Sequence, residues 1–260
     1  MSSPPRLSVI VPVRDRSGAR LDACLRSLAG QGGLAAGDVE VVVSDFGSTP
    51  AHAASVAALA DQHGARLVRA ATTRLWNRSR ALNIGIRAAR GQLVLCTDAD
   101  MIFAPNFLAT VVEALAQDEG RLVVCRCHDL PEAHIGGAAP SPVGGLDFAA
   151  LAAAGSVRQT SGTGACQAAT RAFFERVRGY DEAFEYWGAE DDDMRHRALH
   201  AGLRMHWISD QTTMWHQWHP TMKHDRSWLR FLNKWRYRLT RRVVVKNRRA
   251  WGQVDDGGRP

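Results

Sequence analysis

RSRALNIGIRAARGQLVLCTDADM, residues Arg78–Met101, is the stretch on which the fold reading turns. Arg78 to Ala89 reads as a helix that Gly91 ends. Leu93 to Cys96 then runs without a polar residue, as a short strand buried on both faces does. TDADM, Thr97 to Met101, follows directly and places two carboxylates beyond the strand's carboxyl end. Open α/β sheets bind their ligands there.

Upstream, the same alternation repeats. Leu7 to Val13 is an apolar run and reads as a first buried strand, and Arg20 to Ala29 has helical spacing at Leu21, Cys24, Leu25 and Leu28. Val39 to Val43 reads as a strand, Ala51 to His63 as a helix and Ala65 to Val68 as a strand. Short connections between such elements imply an α/β fold, a mostly parallel central sheet flanked by helices. Downstream, Asn106 to Ala116 reads as a helix and Arg121 to Cys127 as a strand. Residues 128 to 163 are rich in Gly, Pro and Ala, with one short helix at Phe148 to Ala153, and read as a mobile functional loop. Ala165 to Ala169 and Leu203 to Ile208 read as strands, Ala189 to Ala201 as a helix, and Trp228 to Arg249 as a long basic helix.

The chain has 260 residues, 45% of them hydrophobic, which suffices for a substantial core. Its net charge of +7 is unevenly placed. Residues 223–260 hold 12 Lys or Arg against 3 acids, while the first 222 hold 21 against 23. The body is nearly neutral and the tail basic, so the division expected is 1–222 as the main domain and 223–260 as a basic amphipathic helix and tail. A basic tail calls for an anionic partner or a solvated face. It lacks a groove-reading motif, so nucleic acid is not expected. Its Trp and Leu face with many arginines suits peripheral membrane contact through residues 223–249, or packing against the body. The five cysteines include no CxxC pair and read as reduced and buried, with neither a disulfide frame nor a zinc site. MSSPPRLSVIVPV has too short an apolar run for a signal peptide, and no stretch is apolar enough to span a bilayer. The expected location is cytoplasmic, either free or peripheral on the cytoplasmic membrane face through the tail.

Three segments carry chemistry. Asp98 and Asp100 alternate in TDADM, so both can face one cation. A hard divalent ion so held neutralises a diphosphate, although D-x-D alone also arises by chance. WGAEDDD, Trp187 to Asp193, opens the helix at Ala189. Its consecutive carboxylates repel one another unless cations, helix amides or substrate hydroxyls stabilise them. A solvated first turn explains Glu190 and Asp191 but leaves the preceding Trp-Gly unexplained. An aromatic face beside carboxylates can hold a sugar ring, and one carboxylate can take a proton from an attacking hydroxyl. In MWHQWHP, Met214 to Pro220, two histidines among tryptophans favour a metal ligand. His with Asp suits Mn²⁺ better than Mg²⁺, which remains the alternative ion.

Taken together, LSVIVPVRDR, VEVVVSDFGS, Arg78–Met101 and GAEDDD resemble the family 2 glycosyltransferases, which have the GT-A (nucleotide-diphospho-sugar transferase) fold. The last part also resembles the C-terminal region of β-1,4-galactosyltransferases and chondroitin-polymerase-type enzymes, where a W-G-x-E-D segment precedes a metal-binding His. The resemblance covers about residues 6 to 220.

By that resemblance, Pro12, Val13 and Asp45, with Arg14 beside them, line the nucleotide pocket, Asp45 accepting from the imide N–H of a uracil. Arg80 lies near base and diphosphate, and Asp98 contacts ribose or sugar. Asp100 ligates the metal with His216, which matches better than His219. Glu190 holds hydroxyls, and Asp191 is the base, with Asp192 its close competitor. The implied reaction is inverting transfer of a hexose or N-acetylhexosamine from a UDP-sugar to a hydroxyl of a glycan, polysaccharide or lipid-linked acceptor, with part of the 128–161 loop closing over the donor. The rival is a catalytically silent nucleotide-sugar or carbohydrate-binding protein on the same fold. Two positions depart from the family: Phe46 stands where a second acid is common, and Met101 follows the D-x-D.

Overall fold

The run Leu7–Val13 forms β1, with all seven residues buried, in a computed structural model that describes residues 4–137, 145–159, 163–220 and 227–253. The chain then lays down α1 (Ala19–Ala29), β2 (Val39–Phe46), α2 (Pro50–Gln62), β3 (Arg66–Ala70), α3 (Arg78–Ala88), β4 (Leu93–Cys96), β5 (Met101–Phe103) and α4 (Phe107–Gln117). There follow β6 (Arg121–Val124), β7 (Cys127–Asp129), α5 (Phe148–Ala154), β8 (Ser156–Val157), β9 (Gln167–Thr170) and α6 (Arg171–Val177). The last elements are α7 (Glu190–His200), β10 (Arg204–Trp207), β11 (Met214–His216) and α8 (Ser227–Thr240).

Seven strands make one sheet in the order β10-β6-β9-β4-β1-β2-β3. Four of its six pairings are parallel, and β9 runs against both neighbours. Val9, Val11, Val43, Leu95 and Val123 pack on one side with Leu21, Leu25, Val56 and Leu108 from α1, α2 and α4. Ile10, Val42, Val94 and Leu122 pack on the other with Leu82, Phe174 and Met194 from α3, α6 and α7. Helices on both faces are why the central strands are mostly apolar on both sides, and the buried Ser8 hydroxyl on β1 donates to Glu40 Oε1 on β2 at 2.6 Å. The five cysteines are free and buried. Among the described residues no helix is long and apolar enough to cross a membrane.

A second sheet, β5-β11-β7-β8, is built where the chain continues beyond the carboxyl ends of β4 and β6. Ile102, Leu130, Leu151 and Trp215 form its small core. The stretch expected as one strand from Arg121 to Cys127 is therefore two strands in two sheets. Between them the Arg126 N–H leaves the ladder and donates to Ser209 Oγ, 2.8 Å away.

The segment read as a loop from 128 to 163 is partly folded: β7 and β8 pair, and α5 packs through Leu151 and Phe148 against Trp215. Closure over a donor would fall in part on 138–144 and 160–162, outside the described residues. The basic helix stops at Thr240 rather than Arg249. Beyond it come the β-branched Val243, Val244 and Val245, poor helix formers, and a segment tied to the body. Asn247 Nδ2 donates to Arg178 O at 2.6 Å, and Trp251 is 6% exposed in the core.

Candidate functional site

The residues after β4 and those of β11 are brought together by register. β11 pairs antiparallel with β5, His216 opposite Met101, and the Gln217 N–H donates to Asp100 O at 2.9 Å. Gln217 is wholly buried: its Nε2 donates to Arg20 O at 3.0 Å, and its Oε1 accepts from the Gly136 N–H at 2.9 Å. This fixes the backbone between the two histidines.

Asp100 is 6% exposed. Its Oδ1 is 3.9 Å from His216 Nε2 and its Oδ2 is 3.6 Å from His219 Nε2. These separations are too long for hydrogen bonds and suit atoms that share one ion at about 2 Å each. Ligand atoms of the three residues all lie within 4.8 Å of one another. Both rings have the other nitrogen occupied. His216 Nδ1 faces Asp129 Oδ1 at 3.1 Å, and His219 Nδ1 is 3.0 Å from Pro220 O. An acceptor on Nδ1 puts the proton there and leaves the Nε2 lone pair toward Asp100.

Burial pulls the His216 pKa down, against the opposing charge of Asp100, so the ring is held in its neutral, ligating form. Burial alone would raise Asp129, but hydrogen bonds and charge from Arg158 bring its carboxyl below the usual range. Arg16 Nη1 lies 3.2 Å from Asp100 Oδ2. One carboxylate and two imidazoles, one of them backed by a second carboxylate, form a donor set that fits a divalent cation.

Asp98 points elsewhere. Its Oδ1 accepts from Arg78 Nε at 2.7 Å, and Arg78 Nη2 donates to Gly164 O at 2.8 Å. Arg78 is 7% exposed, and its buried Nη1 has no hydrogen-bond partner. Its guanidinium also feels the charges of Asp98 and Glu190.

The acids of α7 spread in different directions because successive helical residues turn by 100°. Glu190 is 5% exposed, and its Oε2 accepts from the Gly188 N–H at 2.8 Å. Burial and then the Asp191 charge raise its pKa to about 7, Arg78 opposing. Asp191 lies against Gly164, and burial followed by the Asp192 charge moves it upward as well. Asp192 turns outward, 47% exposed at the side chain, to Arg195 at 2.9 Å. Asp193 is fully buried and ion-paired with Lys246 and Arg197.

Pro12 and Val13 end β1 beside Ser44 and Asp45 in register. Asp45 is wholly buried. Its Oδ1 accepts from the Ser48 N–H at 3.0 Å, while Oδ2 has no hydrogen-bond partner, Arg69 Nε being 3.4 Å away. The turn that follows needs Gly47: at φ +77 a Cβ would stand 2.2 Å from Thr72 O. Arg14 Nη1 donates to Arg74 O at 2.5 Å.

Residues 8–131 match the model of glycosyl transferase family 2. The match spans just under half of the chain. Residues 153–219 match a second family, described as the N-terminal domain of galactosyltransferase. A curated relative, the O-antigen biosynthesis protein RfbC of Myxococcus xanthus, is 33% identical over 120 residues, which are 46% of this chain and 9% of that protein.

Among solved structures, the mannosyltransferase PcManGT from Pyrobaculum calidifontis, in complex with GDP-Man and Mn²⁺, matches with a TM-score of 0.59 and 24% identity, over 87% of this chain and 60% of that one. S. aureus TarS 1–349 in complex with UDP-GlcNAc gives 0.61 and 18% over 83% and 59%, and GalNAc-T7 with UDP, GalNAc and Mn²⁺ gives 0.61 and 18% over 84% and 45%. These likenesses show the GT-A fold. The chain thus spans a tenth or less of the curated relative and about half to three fifths of the solved ones.

Of the residues singled out in the sequence, the fold gathers Asp100, His216 and His219 in one cluster, with Asp98, Glu190 and Asp191 around Arg78. Arg80 is not among them: it faces Glu182 at 3.2 Å, two positions and 200° of helix away from Arg78. Arg78, Asp129, Arg158 and Gln217 went unread, although Arg78 stands in the same motif as Arg80.

Proposed function

We propose that this chain transfers a hexose or N-acetylhexosamine from a UDP-sugar to an acceptor hydroxyl, with inversion at the anomeric carbon. The observation that carries the reading is the Asp100–His216–His219 cluster at the carboxyl edge of the sheet, with the Asp98–Arg78–Glu190 line of charges leading from it to Asp191. Residues 1–222 would carry the reaction, and 223–260 would be an appended basic element.

Mn²⁺ held by Asp100, His216 and His219, with Mg²⁺ as the alternative, would neutralise charge on the departing diphosphate. The remaining steps belong to the protein. Pro12 and Val13 flank the base, and Asp45 Oδ2, which has no hydrogen bond within the protein and has Arg69 Nε 3.4 Å away, accepts its imide N–H. Arg14 lies beside them. Arg78 holds Asp98 toward the ribose or sugar, and its unpaired Nη1 offers a further donor to the same group. Glu190 orders hydroxyls from within its buried pocket. Asp191, raised in pKa and less exposed to competing cations than the Arg195-paired Asp192, takes the acceptor proton. One displacement from the face opposite the leaving group inverts the centre. The acceptor is a glycan, a polysaccharide or a lipid-linked glycan.

The test is a screen of UDP- and GDP-sugars for Mn²⁺-dependent hydrolysis and transfer. Turnover of one or more UDP-sugars is expected. Turnover confined to GDP-sugars would overturn the uridine assignment, and UDP binding with no turnover of any donor would favour a silent binding protein.

A further inference from the structure

α8 meets the body through a polar stripe. Asn233 Nδ2 donates to Glu185 O at 2.9 Å and to Trp187 O at 3.2 Å. Arg236 Nε donates to Asp181 Oδ2 at 3.0 Å, and the Tyr237 hydroxyl lies 2.9 Å from His196 Nδ1. Leu229, 5% exposed, is the apolar residue on that side. Trp228, Phe231, Leu232, Trp235 and Leu239 are spaced i, i+3, i+4, i+7 and i+11 and so share the other face. They stand 47% to 76% exposed. The helix is amphipathic, but the apolar half is not what docks it. An apolar patch of this size on a surface marks a partner.

Charge says which partner. Residues 227–253 contain no Asp or Glu. Arg236 and Lys246 are neutralised by Asp181 and Asp193. Arg230, Lys234, Arg238, Arg241 and Arg242 make no ion pair with a carboxylate among the described residues, and Val243 and Val245 extend the exposed apolar surface past the helix. We propose that α8 and the segment to Arg249 dock on an anionic lipid bilayer, the aromatic and leucine stripe entering the headgroup region and the flanking cations lying on lipid phosphates. A second copy seated on the same face would oppose two uncompensated cationic surfaces. Nucleic acid would satisfy the arginines but leave Leu232 and Leu239 against phosphate. Because Asn233 holds the backbone at Glu185 and Trp187, just ahead of α7, the bilayer would border the acceptor side of the cleft. On the transferase reading, and only on it, that makes a lipid-borne acceptor the fitting class.

The experiment is flotation of the full chain with vesicles of phosphatidylcholine alone and of phosphatidylcholine mixed with phosphatidylglycerol, which requires no turnover. The chain is expected to float with the mixed vesicles, to release as salt rises, and to stay behind with the neutral ones. A Leu232→Glu/Leu239→Glu variant should lose flotation while its melting temperature stays unchanged, since both side chains are exposed. Arg238→Ala and Arg242→Ala should each weaken binding about fivefold. No flotation with anionic vesicles, equal flotation with both kinds, or a leucine variant that turns a dimer into a monomer and leaves flotation intact would each overturn the proposal.

Discussion

His216 Nδ1 lies 3.1 Å from Asp129 Oδ1, and this contact turns Nε2 of the same ring toward Asp100. Asp129 is itself clamped by Arg158, whose Nε lies 3.0 Å from Oδ2. A carboxylate behind a ligating histidine fixes its tautomer and raises its basicity. Asp129→Ala should therefore weaken Mn²⁺ binding by about 10- to 100-fold, although Asp129 is not itself in the cluster. Calorimetric titration of Mn²⁺ checks this, and an unchanged affinity would mean that Asp129 does not orient the ring.

Burial and the neighbouring Asp191 charge raise Glu190 from the ordinary 4.5 to about 7. Between these values the folded chain holds a proton that the unfolded chain has released. Stability from this group is present below pH 4.5 and is lost as pH rises through about 7. Glu190→Gln should flatten that decline and leave the variant more stable than the parent near pH 8, by on the order of 2 kcal/mol. Denaturant unfolding at pH 5 and pH 8 measures it. Parallel pH profiles for the two proteins would contradict the shifted carboxyl.

Asp191 and Asp192 are adjacent in sequence but face different surroundings, Gly164 in one case and Arg195 in the other. Asp191→Asn should leave UDP binding nearly intact and lower transfer by at least about 100-fold, the range of a lost general base. Asp192→Asn should lower it by less than tenfold, about the effect of a surface pair. Initial rates with the preferred donor decide between them, and the reverse ranking would move the base to Asp192.

Lys246 is 4% exposed at the side chain, bonded to Asp193, and 3.5 Å from Asp181 Oδ2. It ties the segment after α8 to the first turn of α7. Removing one partner of a buried ion pair leaves the other charge uncompensated. Lys246→Met should cost about 3 kcal/mol of stability. Urea unfolding measures the loss, and a neutral result would mean that Arg197 and Arg236 already balance the two carboxylates.

The sheet was readable because its strands are buried on both faces, which leaves mostly apolar runs such as Leu7–Val13 and the shorter Leu93–Cys96 with no competing pattern. TDADM was readable for a related reason, since it ends one of those runs. Other features depend on contacts between distant segments, which no local pattern records. The pairing of β5 with β11 that sets His216 beside Asp100 joins residues more than a hundred positions apart. Asp129 gains its role only through that same sheet. Within α3, helical rotation separates Arg78 from Arg80, and the family pattern alone does not say which one faces the cleft. In α7 the four acids look equivalent in sequence, yet rotation sends Asp192 to solvent and Asp193 to the core. α8 was overextended to Arg249 because its basic composition continues past Thr240, where the valines and the Lys246 and Asn247 contacts end the helix.

The central claim is that Asp100, His216 and His219 hold one divalent cation. Anomalous diffraction at the manganese edge, from crystals grown with Mn²⁺ and UDP, tests it most directly. The account predicts a peak bonded to an Asp100 carboxylate oxygen and to Nε2 of both histidines at about 2.0–2.3 Å. A peak on Asp98 and Asp191 with the two histidines unbound, or no peak in the cleft at saturating Mn²⁺ and UDP, would contradict it.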